Sequence, residues 1–425
     1  MDAQGSKQAE VSATRILLTG TYCSVNKGDA CMQAVFVLEF QRYQRGSLIT
    51  IASPFPERDV AYYAPTPVIK SRRRNLLLAT FHWVMLEFLS ALGIRLSRYP
   101  LSEEIDGMIH ADAVVDLSGD MLTEDYGPLV GYSHFLPLMQ AQALGRPVII
   151  CAQSVGPFHR LTPLARRILS RAKLITVRDQ VSVGLLERLQ HSGNSPIHTA
   201  DLAFLLKPAE DARIDELLTA EGIVIGSRPL VGVSVSALLL NRNNRHVDVD
   251  TGDKLEVFAR ALDTVSERLE VDLLLVPHVF GPRSNADDRE VCERLAQRMR
   301  YAPQRLRGEY RPEELKGVIA RCDAFVGCRM HANIAALDSI VPVLAVGYSH
   351  KTRGILADLG LDEWVLPVAH LTTIQLIEGI ERLLKAAPCY RHQLKERLPA
   401  IRVRAGENIE AVARIIAPGH EGNAL

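Results

Sequence analysis

The sequence predicts an α/β protein made of two domains with parallel sheets. The chain has 425 residues, a length that suits two or three domains. Short apolar runs alternate with helical stretches, and these runs are continuously apolar, as in strands covered on both faces. The predicted strands lie at 15–19, 48–52, 113–118, 147–152 and 173–177, and then at 230–236, 271–277, 323–327 and 341–346.

Helical stretches and one polar break set the predicted domain boundaries. The charged segment at 207–229 separates the two series of strands. We therefore predict a disordered leader (1–13), a first Rossmann-like domain (14–207), a linker (208–229), a second Rossmann-like domain (230–389) and a C-terminal helix and tail (390–425). The predicted helices lie at 132–145, 160–172, 253–269, 311–321 and 372–386.

Composition excludes several classes of function. The 49 basic and 49 acidic residues cancel to a net charge of zero, which gives no reason to expect nucleic-acid binding. The seven cysteines are odd in number and none forms a CxxC pair, so we expect neither a disulfide framework nor a zinc site. Free thiols indicate a reducing compartment, which predicts a cytoplasmic protein. No cluster of metal-ligand residues stands out, so we expect no metal and no resident cofactor.

Residues 75–94 form an apolar segment with arginines before and after it. Its length reaches the roughly 20 residues that a spanning helix needs. His82 and Glu87 in its middle oppose a span, because a charge at the bilayer centre costs about 2.5–3.5 kcal/mol. We expect a buried helix or one that faces a second copy in a homo-oligomer. A helix docked on the membrane surface is the alternative, ahead of a true span.

The loops after the predicted strands carry unusual chemistry. Ligands bind beyond the carboxyl ends of parallel strands, where helix N-termini also point. In GCRMHAN, Arg329 offers a planar fork for a carboxylate or phosphate, and His331 offers a second cation or a proton donor. The structural alternative is an Arg329 that is salt-bridged at a domain interface and a His331 that caps a helix. In NKGDA, Lys27 and Asp29 lie in a glycine-bearing turn that opens a helix, although Asp29 acting as a plain helix N-cap fits equally well.

Other strand-end loops add candidates with structural alternatives. Asp120, Glu124 and Asp125 are candidates for binding sugar hydroxyls or for acting as a general base. The alternative is that they cap the next helix. Arg178 precedes Asp179, and Asp179 is expected to cap a helix. Asp201 and His278 are single polar residues among apolar neighbours and are expected to be structural more often than functional. Two further candidates follow the strand at 341–346: Tyr348 and Lys351.

A resemblance to the polysaccharide pyruvyl transferase family runs in order over most of residues 14–360. The segments that carry it are RILLTGTYCSVNKGDA, ADAVVDLSGD, ALGRPVIICAQSVGPF, LITVRDQVSVGLLERL, HTADLAFLL, VPHVFGP and LKGVIARCDAFVGCRMHANIAALDSIVPVLAVGYSHK. The resemblance implies a GT-B-like fold, in which two Rossmann-like domains face each other across a cleft and the C-terminal helix packs back on the first. The family often has three glycines where this sequence has Ser118, Gly119 and Asp120, which leaves the acceptor open.

The resemblance also implies a reaction and its participants. Phosphoenolpyruvate is the implied donor, and the implied acceptor is a sugar of a surface polysaccharide or of its lipid-linked precursor. Arg329, Met330 and His331 resemble the donor-binding run of the family, and Arg178 resembles its second anion-binding arginine. We expect the two arginines to converge from opposite domains on the donor.

Each remaining candidate receives an expected role. Lys351 is expected at the donor phosphate, and His331, Asp29 and Asp120 are the candidates for acid and base. The acceptor is expected to meet six residues: Asn26, Lys27, Asp29, Asp120, His278 and Tyr348. Two alternatives stay open, namely a GT-B glycosyltransferase with a nucleotide-sugar donor and a non-catalytic scaffold of a glycan-assembly complex. Peripheral contact with the inner face of a membrane, through 75–94, is a further expectation.

Overall fold

The computed structural model describes residues 13–94, 101–189, 193–237, 253–281, 286–347 and 350–416. Within them, two parallel sheets each form the centre of an α/β domain. All nine strands predicted from the apolar runs are confirmed, with ends shifted by a few residues. The prediction of an α/β fold with two parallel sheets is therefore confirmed.

The first sheet has seven strands in the order β3-β2-β1-β4-β5-β6-β7. The chain winds outward from β1 in one direction and from β4 in the other, so these neighbouring strands mark a switch point. The strands are β1 (Arg15–Thr19), β2 (Leu48–Ser53), β3 (Val68–Lys70), β4 (Ala113–Asp116), β5 (Val148–Gln153), β6 (Leu174–Val177) and β7 (Ile197–His198).

Helices cover both faces of this sheet. Phe36 and Phe40 of α1 are fully buried in the core of one face, and Phe135 of α5 is fully buried in the core of the other. Covering both faces explains why the strands are continuously apolar. The helices are α1 (Lys27–Tyr43), α2 (Pro56–Tyr63), α3 (Leu76–Ala91), α4 (Glu103–His110), α5 (Pro128–Ala143), α6 (Thr162–Ser170) and α7 (Gln180–Arg188).

The second sheet has six strands in the order β10-β9-β8-β11-β12-β13, with its own switch point between β8 and β11. Its strands are β8 (Leu230–Ser234), β9 (Asp272–Leu275), β10 (Gln304–Arg305), β11 (Ala324–Gly327), β12 (Val343–Gly347) and β13 (Val365–Pro367). The helices of this half are α8 (Asp211–Ala220), α9 (Lys254–Leu269), α10 (Asp288–Ala296), α11 (Pro312–Ile319), α12 (Met330–Asp338), α13 (His350–Asp358) and α14 (Thr373–Ile416).

Two predicted boundaries differ from the structure. The predicted linker contains α8, which buries Ile214, Leu217 and Leu218 and packs on α11. The predicted boundary between residues 389 and 390 falls inside a helix, because α14 runs unbroken for 44 residues through Pro388 and Pro399. The apolar stripe of α14 keeps its period on both sides of each proline, so neighbouring elements hold the helix where local propensity is poor.

The last part of α14 packs back on the first domain, as the family resemblance implied. It contacts β5 and β6, and Asn408 on this helix is fully buried. The Asn408 amide donates to the Ala200 carbonyl at 2.8 Å and accepts from the hydroxyls of Thr176 and Thr199 at 2.5 and 2.9 Å. Since every polar atom of this buried side chain is satisfied, the helix is fixed in register on the first domain.

The apolar segment predicted at 75–94 forms α3 on the surface of the first domain. Ala79, His82 and Leu86 face inward, and the helix packs on α5. Of the two expected placements, a helix buried within the chain is wrong, since Leu77 is 87% exposed and Phe88 is 63% exposed, whereas a helix that faces a second copy stays a prediction. Across the described residues, no helix reaches the length and apolarity that crossing a bilayer requires.

Candidate functional site

The candidate site lies where the two switch points face each other. The loop after β1 leads to Asp29 in the first turn of α1, and the loop after β4 carries Asp120. Opposite them, the loop after β11 leads to Arg329 and to His331 in the first turn of α12. The strand order therefore brings three of the predicted loops together, because switch points leave a crevice at the carboxyl ends of the strands.

His331 lies at a close contact between the domains. Its ring lies against the backbone of α1 at Gly28, where a Cβ atom would come within 2.1 Å of the His331 Nδ1. His331 Nε2 is 3.6 Å from Oδ2 of Asp201 in the first domain, beyond hydrogen-bond distance. Burial lowers the pKa of His331; Asp201 raises it and Arg178 lowers it. The imidazole is therefore mainly neutral at pH 7.

Arg178 shares Asp201 with His331 and is fully buried. Its Nη1 pairs with Oδ2 of Asp201 at 2.5 Å, and its Nε donates to the Ser154 hydroxyl at 3.0 Å. Among the described residues, three side-chain nitrogens are buried with no hydrogen-bond partner: the Nδ1 of His278 and, on the two residues that pair with Asp201, the Nη2 of Arg178 and the Nε2 of His331. A buried guanidinium N–H without a partner is costly, so the Nη2 of Arg178, with the His331 ring nearby, marks a place suited to an anion.

Asp120, Tyr126 and Lys351 form a network at the mouth of this place. The Tyr126 hydroxyl donates to Asp120 Oδ2 at 2.6 Å, and Lys351 Nζ donates to the Asp120 carbonyl at 2.9 Å. Burial raises the pKa of the Asp120 carboxyl, but Lys351 and Arg178 hold it below its ordinary value. The Asp120 side chain is 27% exposed, so this carboxylate faces space that solvent reaches. Asp120 is therefore ionised and accessible beside two cations.

Asp29 is a carboxyl group of the site that is suited to exchange a proton near neutral pH. Burial raises the pKa of Asp29 to about 7. Two neighbours oppose this rise: the Tyr22 backbone N–H, which donates to Asp29 Oδ2 at 2.8 Å, and the positive charge of Arg73. Arg73 donates to the carbonyls of Gly20 and Thr21 and thereby fixes the loop before α1. A general acid or base works best when its pKa lies near the operating pH.

Arg329 does not form the open clamp with Arg178 that the sequence predicted. Its Nη2 and Nε bind the two oxygens of Asp288 at 2.6 and 3.0 Å. The fully buried Asp288 also accepts from the backbone N–H groups of Ala237 and Val279. A buried carboxylate needs a charged and hydrogen-bonded partner, and the arginine fork supplies both. Arg329 thus joins the loops after β8, β9 and β11.

The contacts of three predicted acceptor-binding residues indicate structural roles. Lys27 is fully buried, and its Nζ binds Glu309 at 2.9 Å, away from the Asp120 network. Asn26 caps α1 by accepting from the Gly28 N–H at 3.1 Å, so the N-cap suggested for Asp29 is wrong. His278 is 4% exposed, and burial followed by the His331 charge lowers its pKa to about 3. These contacts do not place Asn26, Lys27 or His278 against an open acceptor space.

Some of the remaining candidates have structural roles, and others belong to the Asp120 network. Glu124 accepts from three backbone N–H groups at 159–161, which is a structural role. Asp125 lies 3.4 Å from Lys351 and belongs to the network. Asp179 caps α7, as predicted. Met330 opens α12 and is partly buried against the core. Tyr348 lies outside the described residues.

Tyr126 and Arg73 were not predicted from the sequence, and Asp201 was expected to have a structural role. Tyr126 follows Asp120 by six residues in one strand-end loop, so its position was a usable signal. Arg73 lies next to the apolar segment, and nothing local connects it with the loop after β1. Asp201 gains its meaning from Arg178, which is 23 residues away along the chain.

Two Rossmann-like domains with facing switch points define the GT-B class of fold. Solved structures with this architecture include the UDP-GlcNAc 2-epimerase of Neisseria meningitidis, with a TM-score of 0.58 and 12% identity over 95% of this chain and 99% of that one. A glycosyltransferase of Rickettsia africae gives a TM-score of 0.53 at 11% identity, over 96% of this chain and 100% of that one. At these identities the likeness shows the fold alone.

The chain belongs to the polysaccharide pyruvyl transferase family, whose sequence profile matches residues 32–350. It is also 24% identical over 392 residues to the amylovoran biosynthesis protein AmsJ of Erwinia amylovora, covering 87% of this chain and 92% of that protein. Membership in this family makes the chain a transferase of polysaccharide biosynthesis.

Proposed function

We propose that the protein transfers pyruvate from phosphoenolpyruvate to two hydroxyls of a sugar and forms a pyruvate ketal. The acceptor sugar belongs to a surface polysaccharide or to its lipid-linked precursor. The observation that carries the proposal is the pair of buried nitrogens without partners, on Arg178 and His331, beside the ionised Asp120. Nitrogens arranged in this way suit a small molecule that carries a dianionic phosphate beside a carboxylate.

Phosphoenolpyruvate carries a phosphate and a carboxylate, and each of these groups needs a cation beside it. Arg178 offers Nη2 to one acidic group, and Lys351 stands across the network to neutralise the other. Arg329 serves as a positioning residue, because its salt bridge with Asp288 fixes the start of α12 and therefore His331. Binding of an anion raises the pKa of His331, so the bound donor would itself charge the imidazole.

The reaction adds a proton and two oxygens to the enol. An acid protonates the methylene carbon, which makes the neighbouring carbon oxocarbenium-like, and the first sugar hydroxyl adds there and gives up its proton. The carbon–oxygen bond to phosphate then breaks, and the phosphate leaves with the electron pair. The second hydroxyl adds and its proton leaves with the phosphate, so one phosphoenolpyruvate and one diol give one ketal and one phosphate.

Proton transfer is assigned to the groups whose pKa values suit it. Asp29, with a pKa of about 7, can give a proton to the methylene carbon or take one from a hydroxyl. Asp120 stays ionised and orients the acceptor hydroxyls. His331 assists phosphate departure. No resident cofactor and no metal are part of this proposal, and the reaction is placed in the cytoplasm.

The test is a direct assay with the full chain. Purified protein is incubated with phosphoenolpyruvate and lipid-linked or polysaccharide acceptors, and both released phosphate and acceptor mass are measured. We expect the acceptor to gain one pyruvate minus one water, and we expect His331→Ala to abolish this gain. Arg171→Ala, an exposed arginine at the end of α6, is the matched control and should keep activity.

Two other results would overturn the proposal. Glycosyl transfer from a nucleotide-sugar, with no reaction of phosphoenolpyruvate, would make the protein a glycosyltransferase. Loss of turnover with both donors, in a protein that still binds its acceptor, would make it a scaffold.

A further inference from the structure

The outer face of α3 forms a continuous apolar stripe. Leu77, Phe81, Val84 and Phe88 recur at helical spacing and are 87, 61, 54 and 63% exposed. Leu92, just past the helix end, is 58% exposed. We call these five residues the α3 stripe. Large side chains exposed in a row mark an interaction surface rather than ordinary surface variation.

The polar residues that argued against lipid contact face away from the stripe. His82 is 6% exposed and points into the domain. Glu87 is held sideways, because it accepts from the Trp83 indole at 3.2 Å and binds Arg167 at 2.8 Å. The outer face therefore presents mainly apolar and aromatic side chains, with the paired Glu87 at its flank, as in helices that lie in a membrane interface.

Basic residues stand at the start of the helix. Arg72 and Arg74 are both exposed, and the Arg74 guanidinium lies 4.4 Å from the centre of the Phe55 ring. The whole chain has a net charge of zero, so this positive end is a local feature. Arginines beside an exposed apolar face complement anionic lipid headgroups.

The helix also begins beside the candidate site. The preceding Arg73 binds the carbonyls of Gly20 and Thr21 in the loop after β1. The neighbouring helix α5 follows the loop that carries Asp120 and Tyr126, and its second residue, Leu129, is 69% exposed. Apolar exposure thus extends from the α3 stripe to the helix that leaves the cleft.

We propose that the α3 stripe, together with Arg72 and Arg74, docks the protein on the surface of an anionic lipid bilayer. The helix lies in the plane of the interface with its apolar side chains at the boundary between the headgroups and the acyl chains. This orientation sets the mouth of the cleft against the membrane. A lipid-linked acceptor would then reach Asp120 without leaving the bilayer, a consequence that rests on the proposed function, whereas the docking itself does not.

The experiment is flotation of the full chain with vesicles of phosphatidylcholine alone or mixed with phosphatidylglycerol. We expect wild-type protein to float with the mixed vesicles and the double variant F81E/F88E to lose at least tenfold in binding. The matched control is I374E/V403E, which places the same charges at two 66%-exposed residues of α14, a helix that packs on the other face of the first sheet. It should float like wild type.

The arginines are tested separately. R72Q/R74Q should reduce binding to mixed vesicles by about fivefold for each arginine and should make binding less sensitive to salt. Light scattering of the wild type and of F81E/F88E reports self-association through the same face. Phosphate release with a water-soluble acceptor should be unchanged in F81E/F88E, which separates failure of docking from failure of the proposed reaction.

Three results would overturn the proposal. The wild type could fail to float with mixed vesicles, or F81E/F88E could float as well as the control. A wild-type dimer that becomes monomeric in F81E/F88E, with no vesicle binding by either, would assign the α3 stripe to a second copy of this chain.

Discussion

Arg178 and Arg329 follow two strand ends in the same way, yet their surroundings differ. Arg178 uses Nη1 on Asp201 and keeps Nη2 without a partner, whereas Arg329 binds both oxygens of Asp288. One arginine is suited to bind a ligand directly, and the other to hold loops in place. The difference lies in carboxylates that are distant in sequence, so no local pattern distinguishes the two.

The first prediction concerns the buried pair of Arg178 and Asp201. Arg178→Met should lower the free energy of unfolding by about 3–5 kcal/mol, because it leaves a buried carboxylate uncompensated. The double variant R178M/D201N should regain most of this stability and yet stay inactive. Urea unfolding and phosphate release measure the two effects. Recovered activity in the double variant would show that Arg178 has no direct part in binding.

The second prediction concerns pH. Burial raises the pKa values of Asp29 and Asp116 from 3.8 to about 7, so the folded state binds these protons more tightly than the unfolded state. Stability should therefore fall as the pH rises from about 4 to about 7. Asp116→Asn mimics the protonated form and should flatten part of this fall in a series of thermal unfolding measurements.

Asp29→Asn should flatten another part of the fall in stability between about pH 4 and about pH 7. The double variant should show the flattest dependence of stability on pH. Single variants whose profiles run parallel to that of the wild type across this window would contradict the raised pKa values.

At the scale of elements, the starts of α1 and α12 meet at one glycine. Gly28 lets the His331 ring lie against the α1 backbone, and the Asn26 cap and the Arg329–Asp288 salt bridge hold the two helix ends. Each helix belongs to a different domain. The position of His331 relative to Arg178 is therefore a property of this contact rather than of either helix alone.

The third prediction tests this contact. Gly28→Ala places a methyl group 2.1 Å from the His331 Nδ1 and must displace the ring. Since a misplacement of about 1 Å can cost about 10²-fold in rate, we expect a loss of that order in kcat/KM for phosphoenolpyruvate. Gly406→Ala in α14 is the control, because its added methyl group meets open space.

The control should keep full activity and gain about 0.5–1 kcal/mol in stability from helix propensity. Equal activity of the two alanine variants would remove His331 from the site.

At the scale of the whole molecule, α14 and several ion pairs join the domains around the cleft. Lys27 of α1 binds Glu309 of the second domain, and Lys351 of the second domain binds the loop that carries Asp120 and Asp125. These contacts border the cleft, and the Asn408 amide of α14 fixes the far side of the first sheet. The domains therefore share one framework.

The fourth prediction concerns Asn408. Asn408→Ala leaves the buried Thr176 hydroxyl without its acceptor and the Ala200 carbonyl without the Asn408 donor, so stability should fall by about 1–3 kcal/mol. The Thr199 hydroxyl keeps the Val177 carbonyl as an acceptor. Hydrogen exchange should quicken in β6 and in residues 197–200. Val403→Ala, 66% exposed on the same helix, should change neither quantity. Unchanged exchange in Asn408→Ala would mean that the end of α14 does not stabilise the first domain.

Much of the fold followed from the sequence, and the missed strands share one cause. Each of the nine predicted strands was a continuous apolar run, whereas the four missed strands β3, β7, β10 and β13 are the edges of the two sheets. They have two or three residues each and lie against only one neighbouring strand. Short edge strands are fixed by pairing with their neighbour, and pairing leaves no periodic signal.

The sequence alone determined which segments become strands and helices and which loops lie at the carboxyl ends, because burial on both faces and helix capping are local requirements. It also placed Asp120, Arg178 and His331 at those ends. Tertiary structure decided which polar groups became partners: Lys27 with Glu309, Arg329 with Asp288, and Tyr126 with Asp120. Such pairs depend on distances across the fold, and desolvation makes each buried charge bind whichever partner the packing brings near.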